Sequence, residues 1–254
     1  MTTPTKTKKT FYYHQLTDDV VQTKNQNFSL PENYQIIKTG PKCKTIRYLA
    51  TGFAYLFTYL IKHVRVIGRD KIKNYKNQAY FVYANHTQPV NDAFMPLTLF
   101  GSQDYYALAN QANWSLPFIG KYLLPYGGLP VGKNLKQSIK LIQAIQTLVK
   151  HNKHIVIYPE AHVWPYYTQI RPFDQTSMNF PVSLKAPVFV MTTTYQKSKF
   201  FKRPRMIVYL DGPFLADSQL TKKDQQKKLH DQILKTMQTR AKLSNYSYYE
   251  YKQK

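Results

Sequence analysis

The segment QAYFVYAN, residues 78–85, is almost wholly apolar and shows no alternation of apolar and polar positions. A strand of this kind is covered on both faces, so it belongs to a sheet sandwiched between layers and not to a half-exposed hairpin. YYALAN at 105–110, HIVIYPE at 154–160, APVFVMTTTY at 186–195 and RMIVYLDGP at 205–213 read as further strands. VRVIGRDKI at 64–72 alternates and turns at Gly68, which predicts another. Between them, a short helix is expected over 93–100. Leu135, Ile139, Ile142, Ile145 and Leu148 fall at helical spacing, with Lys136, Lys140, Gln143 and Lys150 off the stripe. Strands alternating with helices predict an α/β fold, a mixed central sheet flanked by helices. In such sheets the polar groups just beyond strand ends are the usual site residues.

Four segments follow from these patterns. Residues 1–43 form a polar extension, 44–63 a helix, 64–215 the α/β domain, and 216–254 a basic C-terminal helix and tail. In the terminal helix Leu229, Ile233, Met237 and Leu243 lean to one face, and the Tyr-rich tail reads as a frayed end. The apolar run YLATGFAYLFTYLI, residues 48–61, is shorter than the roughly 20 residues a spanning helix needs. Its tyrosines suit a headgroup boundary, so a membrane-interface helix is expected, with a buried core helix as the alternative.

Charge limits the partners. The chain carries 36 basic against 13 acidic residues, a net charge of +23, and only seven of the basic residues are arginines. Such a surface attracts nucleic acid or an anionic bilayer. No zinc-finger spacing, aromatic RNP motif, GxxG loop or heptad zipper accompanies the charge, which favours the membrane over nucleic acid. The start, MTTPTKTKKT, is polar and basic with no apolar h-region, and Cys43 is the lone cysteine. The expected setting is peripheral, at the cytoplasmic face of the cell membrane.

Four motifs lie in order along the α/β domain: NHTQPVND at 85–92, LPFIGKYLLPYGGLPVGK at 116–133, IYPEAH at 157–162 and LKAPVFVMTTTY at 184–195. Together they resemble the four blocks of the glycerolipid acyltransferases, the group that includes 1-acylglycerol-3-phosphate acyltransferase. The resemblance implies transfer of a fatty acyl group from acyl-CoA or acyl carrier protein to the hydroxyl of a lysophospholipid, with no other cofactor and no metal. A neutral imidazole can take the proton of a weakly nucleophilic hydroxyl as it attacks a thioester, and a carboxylate on the other ring nitrogen fixes the tautomer. His86 is the base by this resemblance and Asp92 its orienter.

Three departures from the family pattern stand out. Five residues separate His86 from Asp92 where the family has four, so Asn91 occupies the usual carboxylate position. Ala161, His162 and Val163 stand where Gly, Thr and Arg follow the family's Pro-Glu, and Lys133 replaces the arginine of the second block, which here runs from Gly127, through Gly128, to Lys133. Lys133 and Arg171 are therefore the expected anion clamp, with His162 a third candidate. Lysine supplies a point charge but not the planar fork of arginine. Glu160, at a strand end, either bonds acceptor hydroxyls or shapes the site through backbone N–H groups. Two other readings use the same residues: an inactive membrane- or nucleic-acid-binding protein on this fold, or a thioester or lipid hydrolase in which His86 activates water.

Overall fold

The computed structural model describes residues 8–21, 25–199 and 203–254. Nine strands are present among them: β1 (Thr10–Tyr13), β2 (Arg65–Ile67), β3 (Tyr80–Ala84), β4 (Tyr105–Ala109), β5 (Gly128–Pro130), β6 (His154–Ile157), β7 (Val188–Gln196), β8 (Arg205–Phe214) and β9 (Glu250–Gln253). Six α-helices accompany them: α1 (Pro41–Tyr55), α2 (Asn91–Phe100), α3 (Leu123–Tyr126), α4 (Leu135–Lys150), α5 (Asn179–Leu184) and α6 (Lys222–Ala241). Seven strands form the central sheet in the order β2-β8-β7-β3-β6-β4-β5. Every neighbouring pair is parallel except β7 and β8, which run antiparallel. The mixed α/β sheet is therefore the architecture.

Period-two alternation sorts the wholly apolar strands onto two cores. On β3, Phe81 and Tyr83 face one layer, where α4 and α6 contribute Leu141, Ile145, Leu148, Leu229, Ile233 and Met237. Tyr80, Val82 and Ala84 face the other, against Ala54 of α1 and Met95, Leu97 and Leu99 of α2. Each fully buried aliphatic side chain contributes about 1.5–3 kcal/mol, so β3, buried along its whole length, anchors both layers.

The structure corrects several expectations. The strand expected over 64–72 stops at Ile67 because Gly68 turns the chain at φ +85°, and a Cβ there would lie 2.4 Å from the Leu210 carbonyl oxygen. A 3₁₀ helix, Arg69–Tyr75, follows. On α4 the core face is Leu141, Ala144, Ile145 and Leu148, while Leu135, Ile139 and Ile142 of the expected stripe are exposed. The Asn134 side chain caps the helix by accepting the Gln137 N–H, and packing against the sheet turns Leu141, Ala144, Ile145 and Leu148 inward. Leu243 lies beyond the end of α6 and is exposed.

Both ends of the described chain are tied down. Instead of fraying, the tail forms β9, which pairs in parallel with β1. Aromatic contacts hold this small sheet to the domain: Tyr251 stacks on Trp164 with ring centres 5.0 Å apart. Of the N-terminal extension, residues 1–7 and 22–24 lie outside the described residues. Tyr34 and Ile36 are core residues, so this segment packs on the domain.

Helix α1 continues as a π-helical turn, Leu56–Ile61, before Lys62. Only Arg47 and Ala54 of α1 are buried, while Tyr48, Leu49, Phe53, Leu56, Leu60 and Ile61 face outward. That disposition overturns the alternative of a buried core helix. No helix among the described residues is long and apolar enough to cross a membrane. Arg47, one residue before the apolar run, is buried. Its guanidinium donates to the carbonyls of Pro125, Ser102 and Tyr105 and lies over the Tyr106 ring, docking α1 on the domain.

Candidate active site

The end of β3 leads directly into the turn that carries His86 and Asp92. Asn85 is buried and exchanges two hydrogen bonds with the backbone of Thr193 on β7, which fixes where the strand ends. The next residue, His86, turns out of the sheet with its side chain 24% exposed. Its Nδ1 lies 2.8 Å from Asp92 Oδ2. The same carboxylate oxygen accepts the Gln88 N–H at 2.8 Å, so the turn closes around Asp92 at the start of α2.

Asp92 is nearly inaccessible, and burial raises the pKa of its carboxyl. Hydrogen bonds from His86 and from the Gln88 and Thr87 amides act in the opposite direction. With Asp92 accepting from Nδ1–H, the basic lone pair of His86 is on Nε2. Among the described residues no group bonds Nε2. Asn91, the alternative orienter, points elsewhere: its Oδ1 accepts from the Thr58 hydroxyl at 2.8 Å. The extra residue of the His-x5-Asp spacing is absorbed by the Pro89 turn, which carries Asn91 past the imidazole to the π-helical turn that continues α1.

Arg171, expected to join Lys133 in an anion clamp, is instead paired with Glu160. Their side chains are 1% and 0% exposed and pair at 3.3 Å. Glu160 accepts the backbone N–H of His86 through Oε2 and that of Arg171 through Oε1. Arg171 also donates to the backbone carbonyls of Leu16 and His162 and lies over Trp164. Burial raises the carboxyl pKa of Glu160 and lowers that of the Arg171 guanidinium, and each charge opposes the shift of the other. The pair is a bolt that holds the His86–Asp92 turn against the loop after β6. Main-chain bonds from Trp164 to the His86 carbonyl and from Tyr166 to the Thr87 carbonyl complete that seam.

The remaining candidates scatter. Gly128 is part of β5, and a Cβ there would press on the Leu123 carbonyl and the Trp114 ring, so its smallness serves packing. His162 sits 3.5 Å from Asp19, a carboxylate of the N-terminal segment. Lys133 is exposed just beyond β5, with its amine 3.5 Å from the Gln26 carbonyl. β5 is three strand positions from β3, about 14 Å across the sheet.

Sequence reasoning missed Tyr158 and Tyr195. Tyr158 stacks on the His86 imidazole with ring centres 4.6 Å apart, and its hydroxyl donates to the Asp92 carbonyl. Tyr195 bonds Thr87 and Gln88 from the end of β7. Both stand at strand ends, where polar groups gather in such sheets, and that position was the available signal.

Residues 63–194, just over half of the chain, match the profile of the family described as Acyltransferase. No curated protein is significantly similar in sequence. Among solved structures, the 1-acyl-sn-glycerophosphate (LPA) acyltransferase PlsC from Thermotoga maritima superposes with a TM-score of 0.57 at 15% identity. The match covers 80% of this chain and 83% of that one, a likeness of fold.

Proposed function

The chain belongs to the acyltransferase family, and on that premise we propose that it moves a fatty acyl group from a thioester of coenzyme A or acyl carrier protein to the free hydroxyl of a lysophospholipid, 1-acylglycerol-3-phosphate being the expected acceptor. The observation that carries this reading is the 2.8 Å contact between His86 Nδ1 and Asp92 Oδ2, with Nε2 left without a partner among the described residues. His86 Nε2 takes the acceptor proton as the hydroxyl oxygen bonds to the thioester carbon. The tetrahedral species then collapses with cleavage of the C–S bond, and the imidazolium returns the proton to the departing thiolate. Asp92 holds the tautomer and stabilises the imidazolium.

Lys133, at the family position for a cation, is the proposed partner of the acceptor phosphate, since Arg171 is committed to Glu160. The acceptor is a lipid, and the outward apolar face of α1 offers a docking surface at the bilayer boundary. The net charge of +23 favours an anionic leaflet, the cytoplasmic face in the proposed setting. An acyl-transfer assay tests the reading, with acyl-CoA and acyl-carrier-protein donors and a lysolipid panel on anionic vesicles. Product formation that disappears in His86→Ala supports it. Free fatty acid released at the same rate without an acceptor identifies a hydrolase instead.

A further inference from the structure

A cavity of about 510 Å³ opens where residues 197–199 after β7 and 203–206 around the start of β8 meet the segment between α1 and β2. Five cationic side chains among the described residues line it, Lys62, Lys197, Lys199, Arg203 and Arg205, and no acidic one does. Among the described residues, no carboxylate lies within ion-pair distance of any of the five. Like charges gathered in a concave site repel one another: the Lys62 amine is held below its ordinary pKa by burial and by the charge of Arg203. A bound polyanion relieves that repulsion.

The position of the cavity relates it to the base. A smaller hollow of about 170 Å³ shares Lys62, Tyr166 and Arg203 with it and reaches Gln88, Pro89 and Val90, the turn that follows His86. In the order β2-β8-β7-β3-β6-β4-β5, β7, β8 and β2 lie to one side of β3, and β5 with Lys133 lies to the other. The end of β7 and the starts of β8 and β2 share the sheet edge at which β3 delivers His86. The cationic cavity is thus displaced sideways from the base by one to three strand spacings, about 5–14 Å, opposite Lys133.

We propose that this cavity binds the phosphates of a coenzyme A thioester, the donor in the reaction proposed above. The inference rests on that reading for the identity of the ligand. Three observations favour the donor over the acceptor phosphate. A phosphate monoester needs two or three donors, whereas five cations suit the diphosphate and 3′-phosphate of coenzyme A together. The volume falls in the range of small-molecule sites and holds a nucleotide-sized group. A phosphate in the acceptor stands close to the attacked hydroxyl and hence to His86, but coenzyme A separates thioester from phosphates by the pantetheine arm, which spans the smaller hollow along the Gln88–Val90 turn. The Tyr166 ring, lining both hollows, flanks that path.

The test is titration calorimetry on the full chain with coenzyme A, adenosine 3′,5′-bisphosphate, phosphate-free pantetheine and glycerol 3-phosphate. The double variant Lys199→Glu/Arg205→Glu is compared with the unaltered protein, and Lys199→Gln/Arg205→Gln serves as a milder pair should the reversal disturb folding. The expected result is binding of coenzyme A and of the bisphosphate that weakens at least about tenfold in the variants, with the response to glycerol 3-phosphate unchanged. In turnover, KM for acyl-CoA rises by a similar factor and KM for the acceptor does not. Coenzyme A binding that ignores both variants overturns the proposal, and so does weakening confined to glycerol 3-phosphate or to KM of the acceptor. Binding is read without turnover, so the cavity assignment and the acyl-transfer reading fail separately.

Discussion

Asp92 Oδ2 stands 2.8 Å from His86 Nδ1, although one more residue separates them than the family spacing allows, while Asn91 at the usual position bonds Thr58. Replacing the carboxylate by an amide leaves the shape of the turn but removes the charge that stabilises the imidazolium. Asp92→Asn is therefore expected to lower kcat roughly 10³-fold with the fold intact, and His86→Ala at least as much. Asn91→Ala loses one buried hydrogen bond, about 1 kcal/mol of stability, and keeps most of its activity. Steady-state kinetics on the three variants decides; an Asn91 variant as inactive as the Asp92 one would reverse the assignment.

Glu160 is expected to act on stability and on the placement of His86, not on acceptor affinity. Glu160→Gln strands the Arg171 charge in a buried site, at a cost of about 3–5 kcal/mol. The double change Glu160→Gln/Arg171→Met removes both charges and is expected to recover part of that loss. Thermal unfolding of both variants measures it. A single variant of unchanged stability and raised acceptor KM would instead make Glu160 a substrate ligand.

His154 supplies a pH signature for folding. It is buried at the start of β6, stacked on Tyr80 with ring centres 3.8 Å apart, and its Nδ1 has no hydrogen-bond partner. Burial lowers its pKa to about 4, with Asp104 opposing and Lys153 assisting the shift. The unfolded chain binds this proton near pH 6.5 and the folded chain near 4, so the stabilisation is complete above 6.5 and is lost as pH falls between the two. At 1.36 kcal/mol per unit the loss is about 3 kcal/mol. Urea unfolding of the protein and of His154→Phe from pH 7 to 4 isolates this contribution: the difference in slope between them is the expected signal, and parallel curves would refute it.

Docking on a bilayer through α1 predicts a surface effect without a folding effect. Leu49 and Leu60 are 71% and 65% exposed. The double variant Leu49→Asp/Leu60→Asp is expected to weaken sedimentation with anionic vesicles at least about tenfold, at unchanged melting temperature. Equal vesicle binding in the variant would place the membrane contact elsewhere.

Much of this molecule follows from short-range pattern. The uninterrupted apolar stretch at β3 requires cover on both faces, and the structure supplies it from α4 and α6 on one side and from α1 and α2 on the other. The His86 and Asp92 pair, at the end of that strand, is legible because residue type, order and neighbouring motifs all lie within a few positions. The same local reading misjudged α4, where a five-residue stripe fits the period but packing on the sheet selects another face, and the tail, where β9 exists only because β1 is there to pair with it.

Pairings across the sheet decided the rest. Arg171 carries the residue type of an anion clamp, and only its mutual burial with Glu160 makes the pair a bolt, because a charge without water needs its partner more than it can serve a substrate. Lys62 and Arg205 stand far apart in the chain, and no local period connects them. They meet because β2 pairs with β8. Residue chemistry and period-two burial were set by the sequence itself; which cations share a cavity was set by strand order, a property of long-range contacts that local pattern does not encode.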